Sequence, residues 1–174
     1  MTPYQSTMDV IIPAIGYELH RNWEIELNKH KKYIPKNYWY IKSFGDEAII
    51  KRKLRISEIK HLNEYQLKTI MQLTANLTIR SIEDITEGIE VEYIPEKSII
   101  EITIKLPYEE LDLNDPDRDI KIEEAAKIGE KIGKKLVEFD EALKQKIKTL
   151  KFKKALKSKK KIKVEEWKWT YKNY

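Results

Sequence analysis

The chain contains no cysteine, so disulfides, cysteine-based zinc sites and thiol catalysis are all excluded. Glycine is scarce, with 5 residues in 174, and no Gly/Ser linker or glycine-rich phosphate loop can be built from them. Only three histidines occur, His20, His30 and His61. His20 and His30 lie ten apart on one predicted helix, which is not the i, i+4 spacing of a zinc pair, so no metal or cofactor is expected. No run of eighteen apolar residues is present, so no membrane span is expected. The opening MTPYQSTMDVIIPAIG lacks the basic start and long apolar stretch of a secretory signal, which leads one to expect a cytoplasmic protein or one within a virus particle.

Charge is abundant but unevenly placed. Charged residues make up 36% of the chain and hydrophobic ones 41%, enough for a real core. The Lys/Glu-rich, Gln-poor composition resembles that of hyperthermophile proteins and points to a hyperthermophilic archaeon or its virus, although an AT-rich mesophilic genome also enriches Lys and Ile. The net charge is only +5, yet the segment 143–163, LKQKIKTLKFKKALKSKKKIK, carries eleven lysines and no acid. Of 34 basic residues, 23 then remain against 29 acidic ones, a balance of −6 for the rest of the molecule. Such segregation implies an anionic partner more strongly than a high isoelectric point does.

Periodicity predicts the elements. A helix is expected from Pro13 to about Lys32, with Ile15, Leu19, Trp23 and Leu27 in one stripe and Pro35 as its stop. YWYIKSF and AIIKRKLRI flank Gly45-Asp46 as a hairpin. On its second strand Ala48, Ile50, Leu54 and Ile56 share a face with Arg52, and Ile49, Lys51, Lys53 and Arg55 share the other. A helix follows from about Ser57 or Asn63 to Arg80, with Asn63 and Gln66 as a capping box and Leu67, Ile70, Met71, Thr74 and Leu77 facing inward. IEVEYI and SIIEITIKL, joined by PEK, form a second hairpin with one apolar and one charged face.

The last helix starts near Pro116 to Asp119. Its apolar residues Ala125, Ile128, Ile132, Leu136, Phe139, Leu143, Ile147 and Leu150 repeat with an eleven-residue period, close to the natural helical one. Run to Ser158, it would have about 39 residues and span roughly 58 Å, against about 30 Å for a compact core. A kink or change of partner is expected after Leu150, where Lys154 falls on the stripe. The closing KIKVEEWKWTYKNY reads as a strand with an aromatic face.

The predicted fold is α+β: two antiparallel β-hairpins packed on helices in the order α-ββ-α-ββ-α-β, with a long projecting C-terminal helix and a short C-terminal strand. Residues 1–118 form the core, and 119–174 form the basic helix and aromatic return strand, within the same domain or as an arm.

No catalytic motif is found, and a non-enzymatic protein is expected. The leading expectation is a nucleic-acid-binding protein of low sequence specificity, because lysine meets phosphate as a point charge and lacks arginine's bidentate base contact. Its contacts would be Lys51, Lys53, Arg55, Lys151, Lys153, Lys154, Lys157, Lys159, Lys160 and Lys161, with Trp167 and Trp169, and in the same way Tyr38, Trp39 and Tyr40, as stacking surfaces. More often such aromatics are cross-strand core pairs. The alternative partner is an acidic protein surface, met by a structural or adaptor subunit such as a virion component or an inhibitor. A weaker alternative is a metal-dependent nuclease on Glu90, Glu92 and Glu101.

Gly129 and Gly133 in a helix interior imply close approach of another helix, from the first helix or a second subunit. With Leu136, Phe139, Leu143, Ile147 and Leu150 they form a candidate interface in a homo-oligomer or larger assembly.

Overall fold

The computed structural model describes residues 4–30, 39–79, 82, 85–86 and 88–163; for 22–30, 56, 78–79 and 152–163 the description is of the backbone alone. The fold is α+β, a four-stranded antiparallel sheet with helices on one face. The elements are α1 (Met8–His30), β1 (Trp39–Phe44), β2 (Glu47–Lys53), α2 (Ile56–Ile59), α3 (Glu64–Ile79), β3 (Gly88–Ile94), β4 (Ile99–Lys105) and α4 (Arg118–Lys163), in the sheet order β1-β2-β4-β3. The expected stop at Pro35, and the strand expected over 164–174 with Trp167 and Trp169, lie outside the described residues.

Both hairpins form where the sequence predicts them, but β2 ends at Lys53, and Ile56, expected on the strand, opens α2 instead. Gly45 takes φ +60°, a left-handed conformation that costs glycine little, and Phe44 pairs with Glu47 across the two-residue turn. The second hairpin turns through a single 3-10 turn, Pro95–Lys97. β2 joins β4 at the centre, with Ala48, Ile50 and Arg52 opposite Ile104, Ile102 and Ile100. All six are buried, and with Trp39, Leu54 and Leu106 they make the inner face.

Three helices cover that face. α4 packs on α1 and on α3, with α1 beside β1 and α3 beside β3. α1 begins at Met8, five residues earlier than predicted, and keeps Pro13 in its interior. The early start has a cause: the Asp9 carboxylate accepts from the backbone N–H groups of Gln5 (2.9 Å) and Ser6 (3.1 Å) and fixes the turn into the helix. The same segment zips onto the stretch after β4, with Thr7 N donating to Glu109 O at 2.9 Å and Leu111 N to Gln5 O at 2.8 Å. Asn63 and Gln66 cap α3 reciprocally, at 2.7 and 3.1 Å. Leu67, Ile70, Met71 and Thr74 are buried as expected, but Leu77 is 69% exposed and Ala75 takes the inward position.

The two glycines of α4 are explained by α1. A Cβ on Gly129 would stand 2.6 Å from Ala14 Cβ and 2.7 Å from Ile11 O; one on Gly133 would stand 2.6 Å from Glu18 Cβ. Absence of both side chains lets the two helix backbones approach closely. Leu136, Phe139, Leu143 and Ile147 are buried in the core of the same chain, and Leu150 packs against it. The stripe expected to point outward at a second subunit therefore points inward, because α1, α3 and the sheet already cover it.

A candidate nucleic-acid interface

α4 is assigned as one helix of 46 residues, about 69 Å at the α-helical rise, and continues through the lysine run. Its start lies at the end of the sheet that holds the Gly45-Asp46 turn, since Arg118 donates to Leu111 O (2.7 Å) and Tyr4 O (2.8 Å). Residues 140–147 lie at the other end, where β2 finishes. Two side chains fix that placement.

The first is Arg52, on the inner face of β2 and 1% exposed. Its Nε donates to Asp140 Oδ1 of α4 at 2.8 Å, its Nη1 donates to Lys53 O, and its Nη2 lies 3.7 Å from Glu58 Oε1 of α2. The other carboxylate oxygen of Asp140 meets Lys144 Nζ at 3.2 Å. A buried charge needs both a counter-ion and hydrogen bonds, and this cluster supplies them. The second is His61, whose Nε2 donates to Ile147 O at 3.1 Å.

These contacts gather cations from separate stretches of sequence at one end of the molecule. Lys53 is exposed at the end of β2; Arg55 follows it, its backbone N–H held by Glu58 Oε2 at 3.0 Å; Lys60 is exposed after α2. Lys146, Lys148 and Lys151 stand on α4 beyond the Asp140 anchor, and none forms an ion pair among the described residues. Lys51 lies further back, on the outer face of β2. Lys153, Lys154, Lys157, Lys159, Lys160 and Lys161 follow on the same helix, with side chains outside the described set. The acids at this end are Glu58 and Asp140, both already bonded, Glu138, which pairs with Lys135, and the exposed Glu141, Glu64 at the start of α3 and Glu96 in the turn beside the end of β2.

The opposite end is acidic. Asp46, Glu47, Glu109, Glu110, Asp112, Asp115, Asp117 and Asp119 cluster around the Gly45-Asp46 turn and the start of α4. A hydrogen bond from Lys121 at 2.7 Å, then one from the Asp117 N–H, holds the Asp115 carboxyl below its usual range. Lys121 is raised in turn, chiefly by the same bond. The side-chain charges of α4 thus oppose its macrodipole at both ends, an arrangement that stabilises the helix.

The candidate aromatic set on β1 is split between the two faces of the sheet, and Glu90, Glu92 and Glu101 share the outer face without forming a metal group among the described residues. Trp39 is buried opposite Arg52, because its register puts it on the inner face; of the predicted aromatic set on β1, Tyr40 alone is described on the outer face. Glu92 and Glu101 are register partners, but Glu90 faces Thr103, and the described residues contain no group of three acids or histidines fit for a metal ion. Among the described residues no helix is long and apolar enough to cross a membrane.

Arg52 and Asp140, which position the basic end, were not among the predicted site residues. The signal was present: Arg52 sits in inward register with Ala48, Ile50 and Leu54, and Asp140 falls between Leu136, Phe139 and Leu143 on the apolar stripe. No family model, curated protein or solved structure matches this chain.

Proposed function

We propose that the chain is a non-enzymatic nucleic-acid-binding protein of low sequence specificity, which holds phosphates at its basic end. The observation that carries this reading is the convergence of Lys53, Arg55 and Lys60 with the lysine run of α4, brought about by the Arg52–Asp140 and His61–Ile147 contacts. The cations come from three stretches of the chain, the end of β2, the turn after α2 and α4, and stand at the end of the molecule remote from its acidic cluster. Polyphosphate neutralises such a surface and releases condensed counterions in doing so, which makes the affinity steeply salt-dependent. Lysine predominates over arginine there, so base readout contributes little.

The test is a binding titration across salt, on wild type and on a variant with Lys151, Lys153, Lys154, Lys157, Lys159, Lys160 and Lys161 changed to Gln. If all seven meet phosphate, the slope of log affinity against log salt falls by about 6 on duplex DNA. Salt-independent affinity, or equal slopes for the two proteins, refutes the proposal.

A further inference from the structure

The helices lie on one face of the sheet, and no described element covers the other. That outer face is divided. Its β1/β2 half presents Tyr40, Lys42 and Phe44 beside Glu47, Ile49, Lys51 and Lys53. Its β3/β4 half presents Glu90, Glu92, Glu101, Thr103 and Lys105, with the apolar residues Ile94 and Ile99. Phe44 is 77% exposed and Tyr40 57%. The two stand on the same side of one strand, roughly 13 Å apart at the rise of a β-strand. Lys42 lies between them, and Lys51 is the register partner of Tyr40.

We infer that the β1/β2 half of the outer face binds single-stranded nucleic acid, with bases stacked on Tyr40 and Phe44 and phosphates on Lys42, Lys51 and Lys53. This rests on the nucleic-acid reading above and deepens it, because Lys53 is common to both surfaces. The choice of a single strand follows from stacking. In a duplex both faces of each base are covered by its neighbours, so an aromatic side chain gains nothing; an unpaired base has a free face to offer. The charges set the path. Glu101, register partner of Lys51 on one side and of Glu92 on the other, marks the border of that path, and the two glutamates repel a phosphate backbone from the β3/β4 half. Glu47, register partner of Phe44, and Asp46, 3.8 Å from Lys105, bound that half at the acidic end. The strand then leaves past Lys53 toward Arg55 and α4.

The experiment measures the affinity of the full chain for short labelled single strands and for a duplex of the same length. It compares wild type with Tyr40→Ser/Phe44→Ser, Tyr40→Phe and Glu92→Gln/Glu101→Gln. Both aromatic side chains are exposed, so the double variant folds, as circular dichroism checks. Its single-strand affinity is expected to fall about tenfold or more, with duplex affinity and the salt slope unchanged. Tyr40→Phe keeps the wild-type value, and the Glu92/Glu101 variant binds single strands more tightly. An unchanged single-strand affinity in the double variant, or an equal loss on both substrates, overturns the inference and leaves the basic end standing. Absence of wild-type binding to either substrate overturns the parent reading and this one with it.

Discussion

Arg52 on β2 and Asp140 on α4 form a buried ion pair at 2.8 Å, 88 residues apart in sequence. The pair joins the centre of the sheet to the long helix at the last point before the lysine run. Beyond it, Leu143 and Ile147 are still buried, Leu150 is partly buried and Lys151 is exposed. The pair and His61 therefore set where the cationic part of α4 leaves the core.

Asp140→Ala leaves the Arg52 guanidinium buried without its main counter-ion. A loss of about 3–5 kcal/mol in unfolding free energy is expected, the range for breaking one partner of a buried pair. Replacing both, as Arg52→Met/Asp140→Leu, removes the desolvation cost together with the attraction and restores most of that loss. Urea denaturation of wild type and the two variants checks it. A double variant no more stable than Asp140→Ala would mean that the charges supply something apolar packing cannot.

Much of this fold was legible in the residues, and the failures have identifiable causes. Period-two alternation located β2, β3 and β4, and Gly45-Asp46 located the first turn, because both are local signals. Asn63 and Gln66 marked the start of α3 for the same reason. Strand register is not local. Trp39 could stand on either face until its pairing with Arg52 was known. The eleven-residue stripe of α4 showed an apolar face but not its occupant, and nothing in residues 125–150 identifies α1 as the neighbour. Asp140 is not legible from the helix pattern alone, because an acid on an apolar stripe reads as an interruption; only the inward Arg52 of β2 calls for it.

Gly129 lets α4 come close to the backbone of α1. Gly129→Ala gains about 1 kcal/mol in helix propensity. Its new methyl, however, meets a backbone oxygen, Ile11 O, at 2.7 Å, as well as Ala14 Cβ. A backbone atom cannot rotate away, so the helices must separate, and overpacking of this kind costs about 1–3 kcal/mol. A net destabilisation is expected, seen as a lowered melting temperature. Ala14→Gly in the same background restores only part of it, because Ile11 O remains.

The Asp115–Lys121 clasp at the start of α4 sets a pH dependence. The folded Asp115 pKa is lowered from 3.8, chiefly by the hydrogen bond from Lys121. Its contribution is complete above the unfolded value and is lost as pH falls through the lower folded one. The Lys121 pKa is raised from 10.5, so its contribution holds at neutral pH and is lost as pH rises through the higher folded value. Asp115→Asn should thus lower the melting temperature at pH 7. The difference from wild type should narrow below about pH 4. A difference that persists unchanged at pH 2 would assign the effect to packing.

Lys53 and Lys60 distinguish a continuous basic surface from an isolated lysine run. If phosphates touch only α4 beyond Leu150, neutralising these two changes nothing. If the end of β2, the turn after α2 and α4 act together, each neutralised contact removes about 0.9 from the salt slope on duplex DNA and about 0.7 on a single strand. Lys53→Gln/Lys60→Gln should therefore lower the slope by about 1.8 on duplex and leave stability unchanged, since both side chains are exposed and form no ion pair among the described residues. The same double substitution in the Asp140→Ala background, assayed below its lower melting temperature, carries the argument further. Release of α4 from Arg52 loosens the geometry that brings the three stretches together, so the contributions of Lys53 and Lys60 should shrink there. An undiminished contribution would show that the anchor is not what aligns them.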